Sequence, residues 1–430
     1  MNTSYQQKIV SALEAVKHIP NDSFVVMSHA AGVAQICSQA LADNYKQYSN
    51  VKVYHMLCLG TAPYCAPEME KHIKHVASFV GGNTRQAVAE GRADFIPAFF
   101  YQIPTLFRNN LLPVDVAIVQ VSEPNSEGYC SFGLSCDYTK PAAECAKIVI
   151  AEMNKQMPFV GGDNLIHVDK LDYIVEADYA LPEIPLPKIG DVEKAIGKNV
   201  ASLIKDGATL QLGIGAIPDA VLGFLGEKKD LGIHTEMFSD GVIELVKSGV
   251  VTGKAKEIHK GKLTATFLMG SKALYDFVDN NPDVELAPVD WVNDPLTVMQ
   301  LDNIVSINSC IEVDLMGQVS SESMGLKQFS GTGGQVDYVR GAAMAKNGIS
   351  IMAMPSTAKK GTISRIVPFL QPGSAVTTSR CDVDYVITEY GIAHLRAKTL
   401  RERAKALIAI AHPDFRNDLL NEFAKRFPNE

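Results

Sequence analysis

The chain has 430 residues, of which 47% are hydrophobic and 20% charged, and a formal net charge of −8 at pH 7. This length exceeds what one hydrophobic core supports, so the chain is expected to form at least two domains. The negative charge and the lack of a Lys/Arg-rich block argue against a nucleic-acid partner. No apolar stretch reaches the roughly 20 residues of a membrane-spanning helix. The first 20 residues do not read as a signal peptide, and we expect a cytoplasmic protein without a membrane partner.

The eight cysteines form no C-x-x-C pair and have no histidine at zinc-site spacing. We interpret them as reduced core thiols. The sequence therefore predicts no metal site.

Two histidines in the first half of the chain are candidates for substrate contact. His29 and His55 each follow a strand-like stretch. A histidine can donate a hydrogen bond to a substrate carboxylate. The alternative is that both are core or loop histidines.

Three prolines within residues 181–187 disfavour helix and internal strand and are typical of a stiff linker. We place the domain boundary there, with one domain over residues 1–184 and a second over residues 185–430. After this linker, Asp191 can cap a helix whose apolar residues recur every four positions and which ends near residues 206–207.

A strand is predicted over residues 209–212, followed by a glycine turn over residues 213–215 and a helix begun by Pro218. Glycines here let a ligand approach the backbone, and the free N–H groups that open the helix favour an anion. The motif is neither G-x-G-x-x-G nor a P-loop. A plain tight turn remains the alternative.

A short apolar run over residues 232–235 ends in a polar cluster, which puts Glu236 at the carboxyl end of a predicted strand. Ser239 or Asp240 can cap the helix that follows. By spacing alone, a solvated loop residue is the favoured interpretation of Glu236.

Further buried strands are predicted over residues 303–308, 349–354 and 384–388, with a helix over residues 337–345. The alternation predicts an α/β architecture with mainly parallel sheets. Asn308, at a strand end, is a further candidate for substrate contact, with a core role as the alternative.

The stretch 330–334 carries three glycines and can aim backbone N–H groups at a developing oxyanion. The alternative is a structural loop before a helix capped by Gln335 or Asp337.

Two pairs of segments indicate an internal duplication. Residues 137–143 resemble residues 337–343, and residues 22–28 parallel residues 206–212. The sequence thus predicts two similar open α/β domains, with the active site in the cleft between the carboxyl ends of their strands.

The motifs His-Thr-Glu-Met-Phe-Ser-Asp-Gly, Gly-Ile-Gly-Ala-Ile-Pro-Asp-Ala and Ser-Gly-Thr-Gly-Gly-Gln-Val-Asp-Tyr together resemble the acetyl-CoA hydrolase/transferase family. The resemblance covers most of the chain and is strongest after residue 200. It implies two α/β domains of similar topology. It also implies a CoA-transferase that acts on acyl-CoA and a short carboxylate, with butyrate or 4-hydroxybutyrate as the acid and acetyl-CoA as a donor. A homo-oligomer, such as a dimer, is common for such enzymes.

The resemblance also implies the roles of individual residues. Glu236 matches the nucleophile, and the amides at Ile214 and Gly334 match the oxyanion site. The positions implied to line CoA or its thioester are Gly213, Ile214, Gly215, Ala216, Ile217, Ser330, Gly333, Gly334 and either Lys359 or Lys360.

Two departures stand out: Ala216 replaces a glycine that relatives tend to have, and residues 33–35 are Val-Ala-Gln where relatives often show Glu-Pro. The second bears on the shape of the acyl pocket.

A carboxylate nucleophile that exchanges one thioester for another needs no prosthetic group, so CoA and acyl-CoA are expected as substrates only. A short-chain acyl-CoA hydrolase is the nearest alternative, and a nucleotide-binding or regulatory module without turnover is another.

Overall fold

The computed structural model describes residues 3–428. By their contacts these residues form two compact units. The first contains the described residues up to Pro185 together with Leu263–Val292, and the second contains Leu186–Lys262 and the described residues from Asn293 onward.

The part of the first unit that precedes the linker contains ten strands and five α-helices among the described residues. The strands are β1 (Phe24–Met27), β2 (Val51–His55), β3 (Ile73–Ala77), β4 (Asp94–Phe95), β5 (Val116–Val121), β6 (Tyr129–Ser131), β7 (Ile148–Asn154), β8 (Gly161–Gly162), β9 (Leu165–His167) and β10 (Tyr173–Ala177). The helices are α1 (Ala12–Val16), α2 (Gln35–Asp43), α3 (Arg85–Ala89), α4 (Ile103–Arg108) and α5 (Thr139–Cys145). Short 3-10 helices cover Thr3–Lys8, Tyr45–Gln47, Pro63–Cys65, Pro67–Met69, Phe100–Gln102 and Val168–Lys170.

Seven of these strands form a parallel sheet in the order β10-β7-β5-β1-β2-β3-β4. Its central strands are buried along their whole length, as in Val116–Val121. Such continuous apolar strands are typical of a parallel sheet covered on both faces. Helices α1 and α2 pack one side of the core against β1 and β2 through residues such as Val16 and Leu41.

The chain from Leu186 to Lys262 contributes α6 (Asp191–Ala201), β11 (Thr209–Leu212), α7 (Ala216–Leu222), β12 (Gly232–His234), β13 (Met237–Phe238) and α8 (Gly241–Lys247). The segment Leu263–Val292, which belongs to the first unit, contains β14 (Leu263–Ala265), β15 (Phe267–Leu268), α9 (Lys272–Val278), β16 (Val284–Leu286) and α10 (Val289–Val292). Within that unit, β14 pairs with β16, which pairs with β8.

From Asn293 onward the helices are α11 (Pro295–Val298), α12 (Gln335–Met344), α13 (Leu400–Ile410) and α14 (Pro413–Arg426). The strands are β17 (Ile304–Asn308), β18 (Glu312–Asp314), β19 (Val319–Ser320), β20 (Ser323–Met324), β21 (Lys327–Gln328), β22 (Ile349–Ala353), β23 (Thr357–Ala358), β24 (Ile363–Ser364), β25 (Ile366–Val367), β26 (Tyr385–Thr388) and β27 (Gly391–His394).

Six strands of the second unit are hydrogen-bonded in the order β27-β26-β22-β17-β11-β12. All pairs among them are parallel except the hairpin β26-β27. Helices α13 and α14 cover part of these strands through Leu407 and Phe423, which pack with Val386. The predicted α/β class with mainly parallel sheets is confirmed.

The strand order repeats between the units. In each unit the first strand pairs with the second strand on one side and with a later strand on the other, and two further strands follow outward. The orders are β10-β7-β5-β1-β2 and β26-β22-β17-β11-β12. Helices α5 and α12, which overlap the two segments that resemble each other in sequence, precede β7 and β22 respectively.

The compact units differ from the predicted domain ranges in one respect. Residues 185–430 do not form one continuous body, because Leu263–Val292 belongs to the first unit. The cause is strand pairing, since Glu285 pairs with Gly161. Residues 1, 2, 429 and 430, at the outer ends of the two predicted domains, lie outside the described residues.

Several predicted boundaries need correction. Helix α6 begins at Asp191, but its cap is Gly190, whose N–H donates to Glu193 at 2.9 Å, and the helix ends at Ala201. Helix α7 begins at Ala216, before Pro218. Helix α12 is capped by Gly334.

The prediction that the cysteines are core thiols needs correction, because Cys381 is exposed and Cys65 and Cys145 are only half-buried. Cys381 follows the loop at 377–380, outside the core of the second unit. None of the described helices is long and apolar enough to cross a membrane.

Candidate active site

Glu236 lies two residues after the end of β12, at the carboxyl end of the second unit's sheet, and is half-buried. Its neighbour Thr235 is fully buried. The Thr235 hydroxyl lies 3.1 Å from the Leu212 N–H, which donates to it, and within 3.0 Å of the carbonyls of Leu212 and Met237. This hydroxyl therefore ties the end of β11 to the turn that carries Glu236.

The Glu236 carboxylate meets the first turn of α12. The buried Asn293 amide donates to Glu236 Oε2 at 3.0 Å and lies 3.5 Å from Asp337 Oδ2. A Cβ added to Gly334 would stand 2.0 Å from Glu236 Oε2 and 2.3 Å from Asn293 Nδ2. Any side chain at this position would therefore force Glu236 or Asn293 to shift.

The helix that begins at this point also shapes the local electrostatics. Tyr338, in α12, is fully buried. Burial, followed by the negative charges of Glu236 and Asp337, raises the pKa of Tyr338 well above its usual value. Its hydroxyl therefore stays neutral beside the carboxylate.

The first glycine loop lies at the same sheet edge, because β11 and β12 are neighbouring parallel strands. Gly213 is half-buried, and Ile214 is 42% exposed. Gly215 has a φ of 111°, a value that favours glycine, and precedes Ala216 and the buried Ile217 at the start of α7.

The second glycine loop reaches Glu236 through its last residue. Gly333 is buried with a φ of 54°, and Gly334 follows it. Ser330, at the start of the loop, donates its hydroxyl to the Ser321 carbonyl at 3.0 Å. Gly334 and Glu236 are thus brought together, whereas the Ser330 hydroxyl is engaged within the loop.

Lys359 and Lys360 form the exposed tip of the hairpin β23-β24. Both have left-handed backbones, with φ values of 47° and 58°. Such conformations cost roughly 1–2 kcal/mol each for residues with a Cβ. Both side chains therefore lie in solvent, and the hairpin is distant in sequence from the strands next to Glu236.

Asn308 ends β17, next to β11, and is half-buried. Its amide donates to Gln211 Oε1 at 3.0 Å and to Ser306 Oγ at 2.9 Å. Asn308 therefore lies at the edge of the sheet where Glu236 lies, with its orientation set by Gln211 and Ser306.

His29 and His55 belong to the first unit and are 3% and 1% exposed. His29 Nδ1 lies 3.1 Å from Asp137 Oδ2, and its ring contacts Phe267 with a centroid distance of 4.5 Å. These are contacts of a core histidine, the alternative that the sequence left open.

The His55 ring stacks on His75, and its Nε2 is 2.5 Å from the Tyr64 hydroxyl. Burial, and then the charge of His75, lowers the pKa of His55 well below its usual value. The imidazole is therefore neutral and enclosed.

Sequence reasoning missed Asn293. The residue lies between α10 and the Asp294 cap of α11, in a segment with no recognisable catalytic spacing. A buried amide gives no periodic signal, so only the fold brings it to Glu236. Among residues 3–428, no group of three His, Cys, Asp or Glu side chains could hold a metal ion.

Comparison with known proteins identifies the family. The model of the acetyl-CoA hydrolase/transferase N-terminal domain matches residues 1–185, and that of the C-terminal domain matches residues 270–423. The chain is 62% identical to the 4-hydroxybutyrate coenzyme A transferase of Clostridium kluyveri over 98% of this chain and 99% of that protein. It is 45% identical to the succinyl-CoA:cyclohexane-1-carboxylate CoA transferase of Geobacter metallireducens over 98% of this chain and 96% of the relative.

A solved structure extends the likeness. The 4-hydroxybutyrate CoA-transferase of Porphyromonas gingivalis superposes with a TM-score of 0.86, at 52% identity and with 99% of each chain covered. The chain belongs to the acetyl-CoA hydrolase/transferase family. It is an enzyme of the CoA-transferase class, as the sequence motifs predicted.

Proposed function

We propose that this enzyme transfers CoA between an acyl-CoA and a short carboxylate by a ping-pong reaction through a thioester on Glu236. The observation that carries the proposal is the half-buried Glu236 carboxylate. Its Oε2 accepts a hydrogen bond of 3.0 Å from the Asn293 amide and lies against the backbone of Gly334. A nucleophile must be held near its attack geometry, and this contact restricts the carboxylate.

The first half-reaction begins when a Glu236 oxygen attacks the thioester carbonyl. The carbon–sulfur bond breaks, and CoA leaves as a thiolate, which yields a mixed anhydride of Glu236 and the acyl group. The thiolate then attacks the Glu236 carbonyl of this anhydride and expels the free acid. The acceptor acid reverses both steps, so no net redox change or external energy source is needed.

Each addition creates a tetrahedral oxyanion. We assign its stabilisation to the backbone N–H groups of Ile214 and Gly334, which lie in the two glycine loops next to β12 and α12. Loss of one such donor costs about 3–4 kcal/mol in other enzymes. The CoA moiety is proposed to extend along residues 213–217 and Ser330, Gly333 and Gly334, with Lys359 or Lys360 near its phosphates.

The proposed acid is 4-hydroxybutyrate or butyrate, and the proposed donor is acetyl-CoA. The relatives from Clostridium kluyveri and Porphyromonas gingivalis, both named for 4-hydroxybutyrate, support this choice. A substrate contact by Asn308 is part of the proposal, because its amide lies at the carboxyl end of β17. A homo-oligomer such as a dimer remains a proposal as well.

The test is incubation with acetyl-CoA, followed by intact mass measurement and peptide mapping. A CoA-sized adduct on the peptide that contains Glu236, removed by added 4-hydroxybutyrate with formation of its CoA ester, is expected. Transfer that proceeds at the normal rate with no adduct on that peptide would contradict the mechanism.

The same assay separates the transferase from a hydrolase of the family. A transferase releases little free CoA even after an acid is added, because the CoA passes to that acid as a new thioester. Continuous release of CoA and acetate without any acceptor acid would favour the short-chain acyl-CoA hydrolase.

A further inference from the structure

The second glycine loop, residues 330–334, is held by one side chain that the proposed reaction does not use. Glu322 lies just after β19 and is 8% exposed. Its backbone carbonyl accepts the N–H groups of Phe329 at 2.8 Å and of Ser330 at 3.0 Å. Its carboxylate accepts the hydroxyl of Thr332 at 2.9 Å.

These contacts fix the loop at its start and at its middle. Thr332 stands between Gly331 and Gly333, which have no side chains of their own to hold the backbone. The far end of the loop is fixed where Gln335 Nε2 donates to the Thr378 hydroxyl at 2.8 Å. Gly334 lies between the Thr332 contact and the Gln335 contact.

Glu322 itself rests on a rigid base. Ser320, two residues earlier, pairs with Glu312 in the small sheet of β18, β19 and β25. The Ser321 N–H donates to the Thr377 hydroxyl at 3.0 Å. Side chains held on paired strands position a site more accurately than side chains on free loops.

The tolerance at the other end of the loop is small. Gly334 packs so closely on Glu236 that an added Cβ would come within 2.0 Å of Oε2. A shift of this loop therefore changes how closely the Gly334 backbone approaches the carboxylate.

We infer that Glu322 is a positioning residue for CoA transfer, which acts through the Thr332 hydroxyl to hold Gly333 and Gly334 against Glu236. The inference rests on the proposed function of Gly334. Burial raises the pKa of Glu322, and the Thr332 hydrogen bond opposes that rise.

The experiment is a double-mutant cycle on kcat with the full chain, using Glu322→Ala, Thr332→Val and the double variant. Misplacement of a reacting group by about 1 Å can cost about 100-fold, so each single variant is expected to lower kcat by about 10- to 100-fold. The KM for acyl-CoA is expected to change by less than about threefold, since the loss is one of alignment. The double variant is expected to match the worse single variant, because both remove the same contact.

Two variants control for a general loss of structure. Glu322→Gln keeps an acceptor oxygen and should restore kcat to within about threefold of the wild type. Thr252 donates to Asp230 at 2.9 Å in an exposed hydroxyl–carboxylate pair, and Thr252→Val should leave kcat unchanged. Thermal unfolding is measured for each variant.

The outcomes are decisive in both directions. If the losses of Glu322→Ala and Thr332→Val multiply in the double variant, or if Thr332→Val keeps full kcat, the inference is overturned. If Glu322→Ala does not fold, Thr332→Val compared with Glu322→Gln decides the question. Failure of the Glu236 mechanism would instead appear as a missing CoA adduct in the wild type, which leaves the cycle on kcat readable.

Discussion

The two compact units share a strand order, yet the loop that follows the first strand differs between them. In the first unit, Glu152 on β7 accepts the N–H of Cys37, in the first turn of α2, at 2.8 Å, and the Tyr179 hydroxyl donates to its other oxygen. In the second unit, residues 213–215 open α7, Ile214 is exposed, and a Cβ on Gly215 would meet no atom within 4 Å. In the first unit a carboxylate of the same unit binds the start of the helix that follows the first strand. In the second unit the corresponding loop is open.

The segment before the next helix differs in the same way. Before α5, Asp137 accepts the Tyr138 N–H at 2.6 Å and the Ser135 hydroxyl at 3.1 Å. Before α12, the backbone of Gly334 faces Glu236. Buried carboxylates thus stabilise the first unit, whereas the corresponding region of the second unit carries the proposed chemistry.

The largest effects are expected from replacing the half-buried Glu236 and the buried Glu152 with glutamine, each in a separate variant. Glu236→Gln should lower CoA exchange between acetyl-CoA and labelled acid by on the order of 10⁴-fold, because the nucleophile is lost. Its unfolding midpoint should stay near that of the wild type. Retained exchange would refute the assignment of Glu236.

Glu152→Gln is the matched control and should do the reverse. Its amide cannot accept both the Cys37 N–H and the Tyr179 hydroxyl, so the free energy of unfolding should fall by about 1–3 kcal/mol. The kcat of the folded protein should stay within about threefold of the wild type. A large loss of kcat without loss of stability would break the comparison between the units.

Gly334→Ala is expected to lower kcat by about 100-fold, because the added methyl group overlaps the Glu236 carboxylate and the Asn293 amide. Gly226→Ala is the control, since a Cβ there would meet no atom within 4 Å. Steady-state kinetics of both variants check the prediction. Equal activity of the two would show that the close approach of Gly334 does not matter.

Thr235→Val should have a smaller effect. The change removes the hydroxyl that joins the end of β11 to the Glu236 turn but keeps the side-chain volume. We expect kcat to fall by about tenfold and stability by about 1–2 kcal/mol, because buried backbone partners lose a hydrogen bond. Thr235→Ser retains the hydroxyl and should keep most of the activity; a serine variant as poor as the valine variant would argue against this role.

The smallest effect concerns pH. Burial raises the pKa of Glu152 above its usual value, against the hydrogen bonds that lower it. The folded protein therefore binds this proton more tightly than the unfolded chain does, so its contribution to stability is complete below the unfolded pKa and is lost as the pH rises through the folded pKa. The difference in unfolding midpoint between wild type and Glu152→Gln should shrink from pH 4 to pH 8; a constant difference would contradict the raised pKa.

The sequence predicted what depends on local pattern. Residues 209–212 form the predicted strand because an apolar run between two glycine turns has few other options. The roles of His29 and His55 could not be read in this way, because a histidine after a strand looks the same whether it faces a ligand or, as here, aromatic neighbours in the core.

The close contact between Gly334 and Glu236 could not be predicted from the sequence either. Its φ of −92° is allowed for any residue, so no turn rule requires glycine there. The requirement comes from Glu236, 98 positions earlier in the sequence, and appears only when the chain is folded. The resemblance to a known family supplied the emphasis on this residue that physical reasoning from the sequence lacked.

The return of Leu263–Val292 to the first unit has a consequence for synthesis. During translation, β8 cannot pair with β16 until residues 284–286 have left the ribosome. The first unit is therefore completed only after much of the second has been made, and the nascent chain must hold Gly161–Gly162 unpaired over more than a hundred residues of growth. Cutting the gene at the proline linker would not separate the units cleanly, because the first unit needs chain from both sides of the cut.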